Sequence, residues 1–281
     1  MTVPRGRLEV LRAGGVRFDE GGCILDVDGD GRKDLVLTEA EPRALVWYRA
    51  QSGGWVRHLI DAGVDALDLL PATLHGRRGV LLVHRRSQVR FYEIAADPAQ
   101  RWHSRDIYSF YSHSGQGGLA MGDVDDDSLP DIFCGNYWIQ SPKSFELPWR
   151  LFAINLWNET ANSGVMSLVA AESLLLVVQR EMSPGRIAWF EKPADPRQLW
   201  TERRVATDAT YPVAMQAADS GDVLVGERGG ANRMILLSRR QPHVIGRASR
   251  LRRAFAADLN GDTKRDLVVI SGESIAWWEQ R

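Results

Sequence analysis

The stretch Asp26-Val-Asp-Gly-Asp-Gly-Arg-Lys-Asp34-Leu-Val-Leu governs how the rest of this chain is read. Carboxylates fall at every second residue, and an apolar run of strand length follows. Two other segments share the pattern: Asp123-Val-Asp-Asp-Asp-Ser-Leu-Pro-Asp131-Ile-Phe-Cys and Asp258-Leu-Asn-Gly-Asp-Thr-Lys-Arg-Asp266-Leu-Val-Val. The loop starts lie 97 and 135 residues apart, and 49 residues separate Asp258 from Asp26 if the chain is wrapped end to end. Division by two, three and one gives about 48, 45 and 49 residues per repeat, the length of a propeller blade.

Repeats without acidic loops are located by a third, aromatic strand. It recurs as Leu45-Val-Trp-Tyr48, Val89-Arg-Phe-Tyr-Glu93, Tyr137-Trp-Ile139, Ile187-Ala-Trp-Phe-Glu191, Met234-Ile-Leu-Leu237 and Ile275-Ala-Trp-Trp-Glu279. A fourth strand follows five of these, at Trp55–Ile60, Trp102–Ile107, Trp149–Ile154, Trp200–Val205 and His243–Ile245. The last repeat lacks one because the chain ends, and Arg7-Leu-Glu-Val-Leu-Arg12 has the alternation to replace it. The sequence therefore predicts one all-β domain over 1–281, a six-bladed β-propeller closed by its N-terminal strand, with seven blades as the alternative. Closure removes the exposed edges of an open sheet.

Composition narrows the function classes. The chain has 281 residues, 44% hydrophobic and 25% charged, which is ordinary for a folded domain. A net charge of -1, from 35 basic and 36 acidic residues, gives no general attraction to nucleic acid or anionic membrane. No apolar run has the length of a membrane span or of a leader peptide, so a cytoplasmic location is expected. Cys23 and Cys134 sit among strand residues of separate repeats and are expected to be reduced. Of the 35 basic residues 31 are arginine, a bias to which the sequence attaches no function.

The acidic loop followed by a strand ending Trp-Phe-Glu resembles the FG-GAP/VCBS repeat proteins, calcium-loop propellers with integrin α-chains as distant relatives. The loops at 26, 123 and 258 match well, and those at 75, 172 and 219 are degenerate. Alternating carboxylates in a tight turn converge on one centre, and hard oxygen ligands of that number suit Ca²⁺. The first loop would use Asp26, Asp28, Asp30, the Arg32 carbonyl and Asp34, with Gly29 and Gly31 free to take positive φ. The last would use Asp258, Asn260, Asp262, the Lys264 carbonyl and Asp266. In the middle loop Asp123, Asp125, Asp127, the Leu129 carbonyl and Asp131 are the ligands, but Asp126, Ser128 and Pro130 depart from the pattern and predict an altered geometry. An EF-hand is excluded, since Leu37 stands where a bidentate Glu is required. The metal role expected is structural.

Strand order places these loops on the back of the ring and the functional loops on the front. Front-loop residues nominated for ligand binding are Glu20, Glu39, Asp65, Arg85, Asn136, Tyr211, Glu227 and Arg252. A polar, aromatic-edged cavity suits a small polyoxygenated ligand. His113, in Tyr111-Ser-His-Ser-Gly-Gln-Gly-Gly118, resembles the His-Gly segment ahead of the metal loop in VCBS-type sugar lyases and aldos-2-ulose dehydratase, with Ser114 interrupting the pair. That resemblance implies proton-transfer chemistry of the lyase, dehydratase, isomerase or cyclase kind. His113 would be the base, Tyr137 the proton donor, and Arg180 and Arg228 the enolate stabilisers. The competing expectation is a propeller that binds carbohydrate or protein without chemistry. No nucleophile elbow, phosphate loop or zincin motif occurs.

Overall fold

A computed structural model describes residues 8–11, 16–52, 54–85, 87–111, 116–157, 166–171, 174–180, 182–205, 207–216, 223–238, 241–247, 251–257, 266–271 and 275–278. In chain order the strands begin with β1 (Leu8–Leu11) and continue through β2 (Arg17–Leu25), β3 (Asp34–Glu41), β4 (Arg43–Gln51) and β5 (Gly54–Ala62), which form blade I. Blade II holds β6 (Ala66–Leu74), β7 (Arg77–His84), β8 (Gln88–Glu93) and β9 (His103–Ser109). Blade III holds β10 (Leu119–Gly122), β11 (Asp131–Cys134), β12 (Tyr137–Gln140) and β13 (Arg150–Ala153). Blade IV holds β14 (Met166–Ala171), β15 (Leu174–Gln179), β16 (Ile187–Glu191) and β17 (Thr201–Arg204). Blade V holds β18 (Pro212–Gln216), β19 (Val223–Glu227), β20 (Arg233–Ser238) and β21 (Gln241–Arg247). The remaining strands, β22 (Leu251–Ala257), β23 (Asp266–Ser271) and β24 (Ile275–Trp278), form a sheet with β1, in which Leu8 lies opposite Trp278.

The expectation of six blades, the last closed by the N-terminal strand, with seven as the alternative, is corrected here. Five blades, β2–β5 to β18–β21, are each made of four consecutive strands; the other sheet is a composite of the two chain ends. The repeat spacing counts the interval running through both termini as a sixth blade. That interval supplies three strands and takes its fourth from residues 8–11. The first strands β2, β6, β10, β14 and β18 contact one another in turn, and β22 lies between β18 and β2.

Between the blades lies the core. Cys23, Trp47 and Ile60 of blade I interlock with Leu69, Leu82 and Trp102 of blade II, and similar clusters lie between II and III, III and IV, and IV and V. Apolar residues face both neighbours, so second strands such as β7 and β15 read as nearly continuous hydrophobic runs and not as alternation. Both cysteines are buried thiols outside any disulfide, and burial pushes the Cys134 thiol up.

A repeat not picked out from the sequence builds the turn into the fourth strand. Ala96-Asp-Pro-Ala-Gln-Arg-Trp102 and Ala194-Asp-Pro-Arg-Gln-Leu-Trp200 fold identically. Asp97 Oδ1 accepts from Ala99 N at 3.1 Å and Asp195 Oδ1 from Arg197 N at 3.1 Å, the Asx turn that aspartate favours. Trp102 and Trp200 then donate Nε1 to the carbonyls of Pro98 and Pro196, at 3.0 and 3.2 Å.

Candidate functional site

The β2–β3 and β10–β11 connections bring three of the four predicted carboxylates of each loop together on the back, with Asp30 and Asp127 outside the two groups. Asp26, Asp28 and Asp34 form one group and Asp123, Asp125 and Asp131 another, each offering oxygens within 4.8 Å of one another. The two loops share most of their bonds; they differ at the first aspartate, whose Oδ1 accepts from Gly29 N in one and from Asp127 N in the other. Asp34 Oδ2 accepts from Val27 N at 3.1 Å, and Asp131 Oδ2 from Val124 N at 2.9 Å. Asp26 Oδ2 accepts from Gly31 N at 3.0 Å, and Asp123 Oδ2 from Ser128 N at 2.9 Å. Asp30 Oδ1 accepts from Arg32 N at 2.9 Å, and Asp127 Oδ1 from Leu129 N at 2.8 Å. Asp34 Oδ1 and Asp131 Oδ1 accept from Ala50 N and Ser141 N on the third strand, at 2.8 and 2.7 Å. Gly29 and Gly31 sit at φ 77° and 86°, and Asp126 and Ser128 take the same places at 60° and 67°. The middle loop thus holds the turn without glycine.

Both groups fit a hard cation. Burial pushes the Asp131 carboxyl up to about 7, backbone donors Ser141 and Val124 oppose that, and Asp125 and Asp127 add to it. Asp125 Oδ1 is buried with no hydrogen-bond partner, while its Oδ2 accepts from Gln140 Nε2. A groove of about 670 Å³, lined by Asp28, His75, Arg77, Arg78, Glu93 and Ile94 among others, gives access to the first loop. The third loop, with Asp258, Asn260, Asp262 and Lys264, lies outside the described residues, as does the side chain of Asp266.

On the front, the structure reveals a ring that the sequence reading had only in fragments. Leu35, Val80, Ile132, Leu175 and Val223 occupy one register position, opposite Tyr48, Tyr92, Ile139, Phe190 and Leu237. Four residues further along stand Glu39, His84, Gln179 and Glu227 on their second strands and Asn136 in the turn just beyond β11, all at most 5% exposed. Their identities differ, so only the register shows that they are one position.

The two glutamates of this set are spent on fixing the framework. Glu39 accepts from Arg57 Nε and Nη2 at 2.8 and 2.6 Å and from Tyr48 Oη at 2.7 Å. Glu227 accepts from Arg233 Nη2 at 2.6 Å and from the backbone N of Thr210 at 3.0 Å, which ties the loop between blades IV and V to β19. Burial works to raise the Glu227 pKa, but Arg233 overcomes it and the carboxyl is held below the usual glutamate range. Burial lowers His84, with Arg90 and Arg85 reinforcing it.

Among the nominated residues, Asp65 accepts from Arg43 Nη1 at 2.7 Å, and its carbonyl accepts from Arg85 N at 2.9 Å. Tyr137 packs its ring at 5.7 Å from Phe110, next to Asn136. Arg180, Tyr211 and Arg228 lie together between blades IV and V, the Arg180 side chain buried. Arg228 Nη2 donates to the Arg180 carbonyl at 3.3 Å, Arg228 N to the Tyr211 carbonyl at 3.2 Å, and Tyr211 N to the Met182 carbonyl at 3.0 Å. Those bonds pin Tyr211 at φ 45° while 43% of it is exposed. His113 and the side chains of Glu20 and Arg252 lie outside the described residues.

Comparison with solved structures agrees with this architecture. A protein of unknown function from Bacteroides thetaiotaomicron aligns with a TM-score of 0.62 and 8% identity over 96% of this chain and 72% of its own. A triple arginine-to-alanine mutant of AofleA from Arthrobotrys oligospora aligns at 0.58 and 10% identity, over 98% and 88%. BBS1N, crystallised in complex with ARL6DN, aligns at 0.59 and 10% identity, over 100% and 97%. The chain is a β-propeller. At these identities the likeness extends to the fold alone. No family profile and no curated protein matches the chain, and among the described residues no helix is long and apolar enough to cross a membrane.

Proposed function

We propose that this propeller is a binding module, its back loops holding structural Ca²⁺ and its front mouth between blades IV and V taking a small polyoxygenated ligand. Tyr211 carries the reading. An L-residue with a bulky side chain avoids positive φ, and a retained outlier of that kind clusters at ligand sites. Here the strained residue is 43% exposed, and Arg228 donates its backbone N–H to the Tyr211 carbonyl beside it. A flat ring stacks on the apolar face of a sugar, and guanidinium groups donate to its hydroxyl or carboxylate oxygens. Asp26, Asp28, Asp30 and Asp34, and their counterparts Asp123, Asp125, Asp127 and Asp131, would hold the metal, which supplies charge neutralisation across each loop.

The test is saturation-transfer NMR with a panel of neutral sugars and sugar acids, on the parent and on Tyr211→Ala. Binding that Tyr211→Ala abolishes supports the proposal. No binding across the panel, or equal binding by the variant, overturns it. The proton-transfer alternative would have Arg180 and Arg228 holding an enolate and His113 and Tyr137 moving protons. Solvent deuterium incorporated into a bound ligand, and lost in His113→Ala, would favour it over binding alone.

A further inference from the structure

The two described acidic loops share the positive-φ turn and differ in a third-strand neighbour. The third-strand residue just before the N–H donor to the last aspartate is Arg49 in blade I and Gln140 in blade III. Arg49 Nη2 stands 2.6 Å from Asp28 Oδ2 and 3.7 Å from Asp30 Oδ2. Gln140 brings a neutral amide to Asp125. Each loop also receives a cation from the next blade. Arg78 Nη2 donates to the Asp26 carbonyl at 2.7 Å, and Lys192 Nζ to the Val124 carbonyl at 3.0 Å. Lys192 also meets Asp126, a carboxylate outside the ligand positions, at 3.2 Å. These outer cations nearly balance between the loops. Arg49 remains as the difference, a positive charge on two of the carboxylates a metal would use.

We infer that Arg49 is an internal competitor for the first loop, so that Ca²⁺ must displace its guanidinium there and has no such rival in the middle loop. The inference rests on the calcium reading above and adds to it an order of filling: middle loop first, first loop at higher Ca²⁺. The geometry allows the exchange. Arg49 is 37% exposed at its side chain and can swing into water, and Asp28 borders the open groove through which an ion would arrive.

The experiment is a titration of the metal-stripped full chain with Ca²⁺ alone, read at the Gly29 and Gly31 amides by glycine-selective NMR. Those two amides bond to Asp26 and so report the first loop by itself. Arg49→Gln should shift their midpoint to about three- to tenfold lower Ca²⁺, the factor that a partly exposed ion pair is worth. The reciprocal Gln140→Arg should weaken the strongest calorimetric site by a similar factor and leave the Gly29 and Gly31 midpoint where it was. Amides that respond to Ca²⁺ with the same midpoint in parent and Arg49→Gln overturn the competition while leaving the calcium reading standing. Amides that respond in neither protein overturn both.

Discussion

Acidic side chains gather on both faces of this propeller, and the two faces neutralise them differently. On the front, Glu39 and Glu227 are fully buried and each is matched by an arginine of its own blade, Arg57 or Arg233, with further donors closing the shell. On the back, Asp123, Asp125 and Asp131 face one another, and Asp125 keeps a buried oxygen without a donor. A buried carboxylate with a fixed guanidinium is framework; carboxylates crowded on one centre call for an ion from outside. The acid-rich front loops therefore need not be acidic toward a ligand.

The largest effect should come from breaking the front pairing. Arg233→Ala leaves Glu227 charged and buried, and should cost about 3 kcal/mol, seen as a lower urea midpoint. The ion pair also carries a pH signature. Because the folded Glu227 carboxyl lies below its ordinary 4.5, its contribution is present above that value and is lost as pH falls through the folded value. Stability of the parent should thus drop on acidification more steeply than that of Arg233→Ala. Equal slopes would mean that Glu227 is not held by Arg233.

Next in size is the metal. Chelation of a chain kept at about a hundredfold its dissociation constant should remove about 2.7 kcal/mol and lower Tm by about 5–8 °C. An unchanged melting curve, with no calcium found by elemental analysis, would erase the contrast between the faces.

How much of this could be read in advance follows from the kind of signal each feature leaves. Asp at every second residue is local, so the back loops were visible in the sequence, as were the aromatic third strands. The front ring was not visible as a ring, because Glu39, His84, Asn136, Gln179 and Glu227 share a register and no chemistry. Their arginine partners were hidden too. Arg57 lies 18 residues from Glu39, and nothing marks it among 31 arginines. The sequence attached no function to that bias, yet Arg49, Arg57, Arg78 and Arg233 are what balances the acids on both faces. The blade count missed at the termini, where repeat spacing counts the composite sheet of β22–β24 and β1 as one more blade.

A smaller change tests whether the back loops share one geometry. Ser128 holds a left-handed φ of 67° in the place of Gly31. That conformation costs an L-residue about 1–2 kcal/mol, and glycine's extra freedom when unfolded returns about 0.5–1. Ser128→Gly should therefore stabilise by about 0.5–1 kcal/mol, or about 2 °C in Tm. A loss of stability would show that the serine makes a contact beyond the turn itself.

The smallest expected effect on stability belongs to Tyr211, and it decides whether the front mouth is a platform or merely a corner of the fold. Its backbone is held by Met182 and Arg228, bonds that glycine retains, and its strained φ is one that glycine adopts freely. Tyr211→Gly should leave Tm unchanged within about 0.5 kcal/mol, relief of strain offsetting the lost ring contacts. The same variant should lose ligand binding entirely, because what it removes is the exposed aromatic face. If Tyr211→Gly instead unfolds at a Tm several degrees lower, the ring is packing and not platform, and the strain at this position is maintained by the core. Stability retained with binding lost is the pattern of a residue kept strained for function.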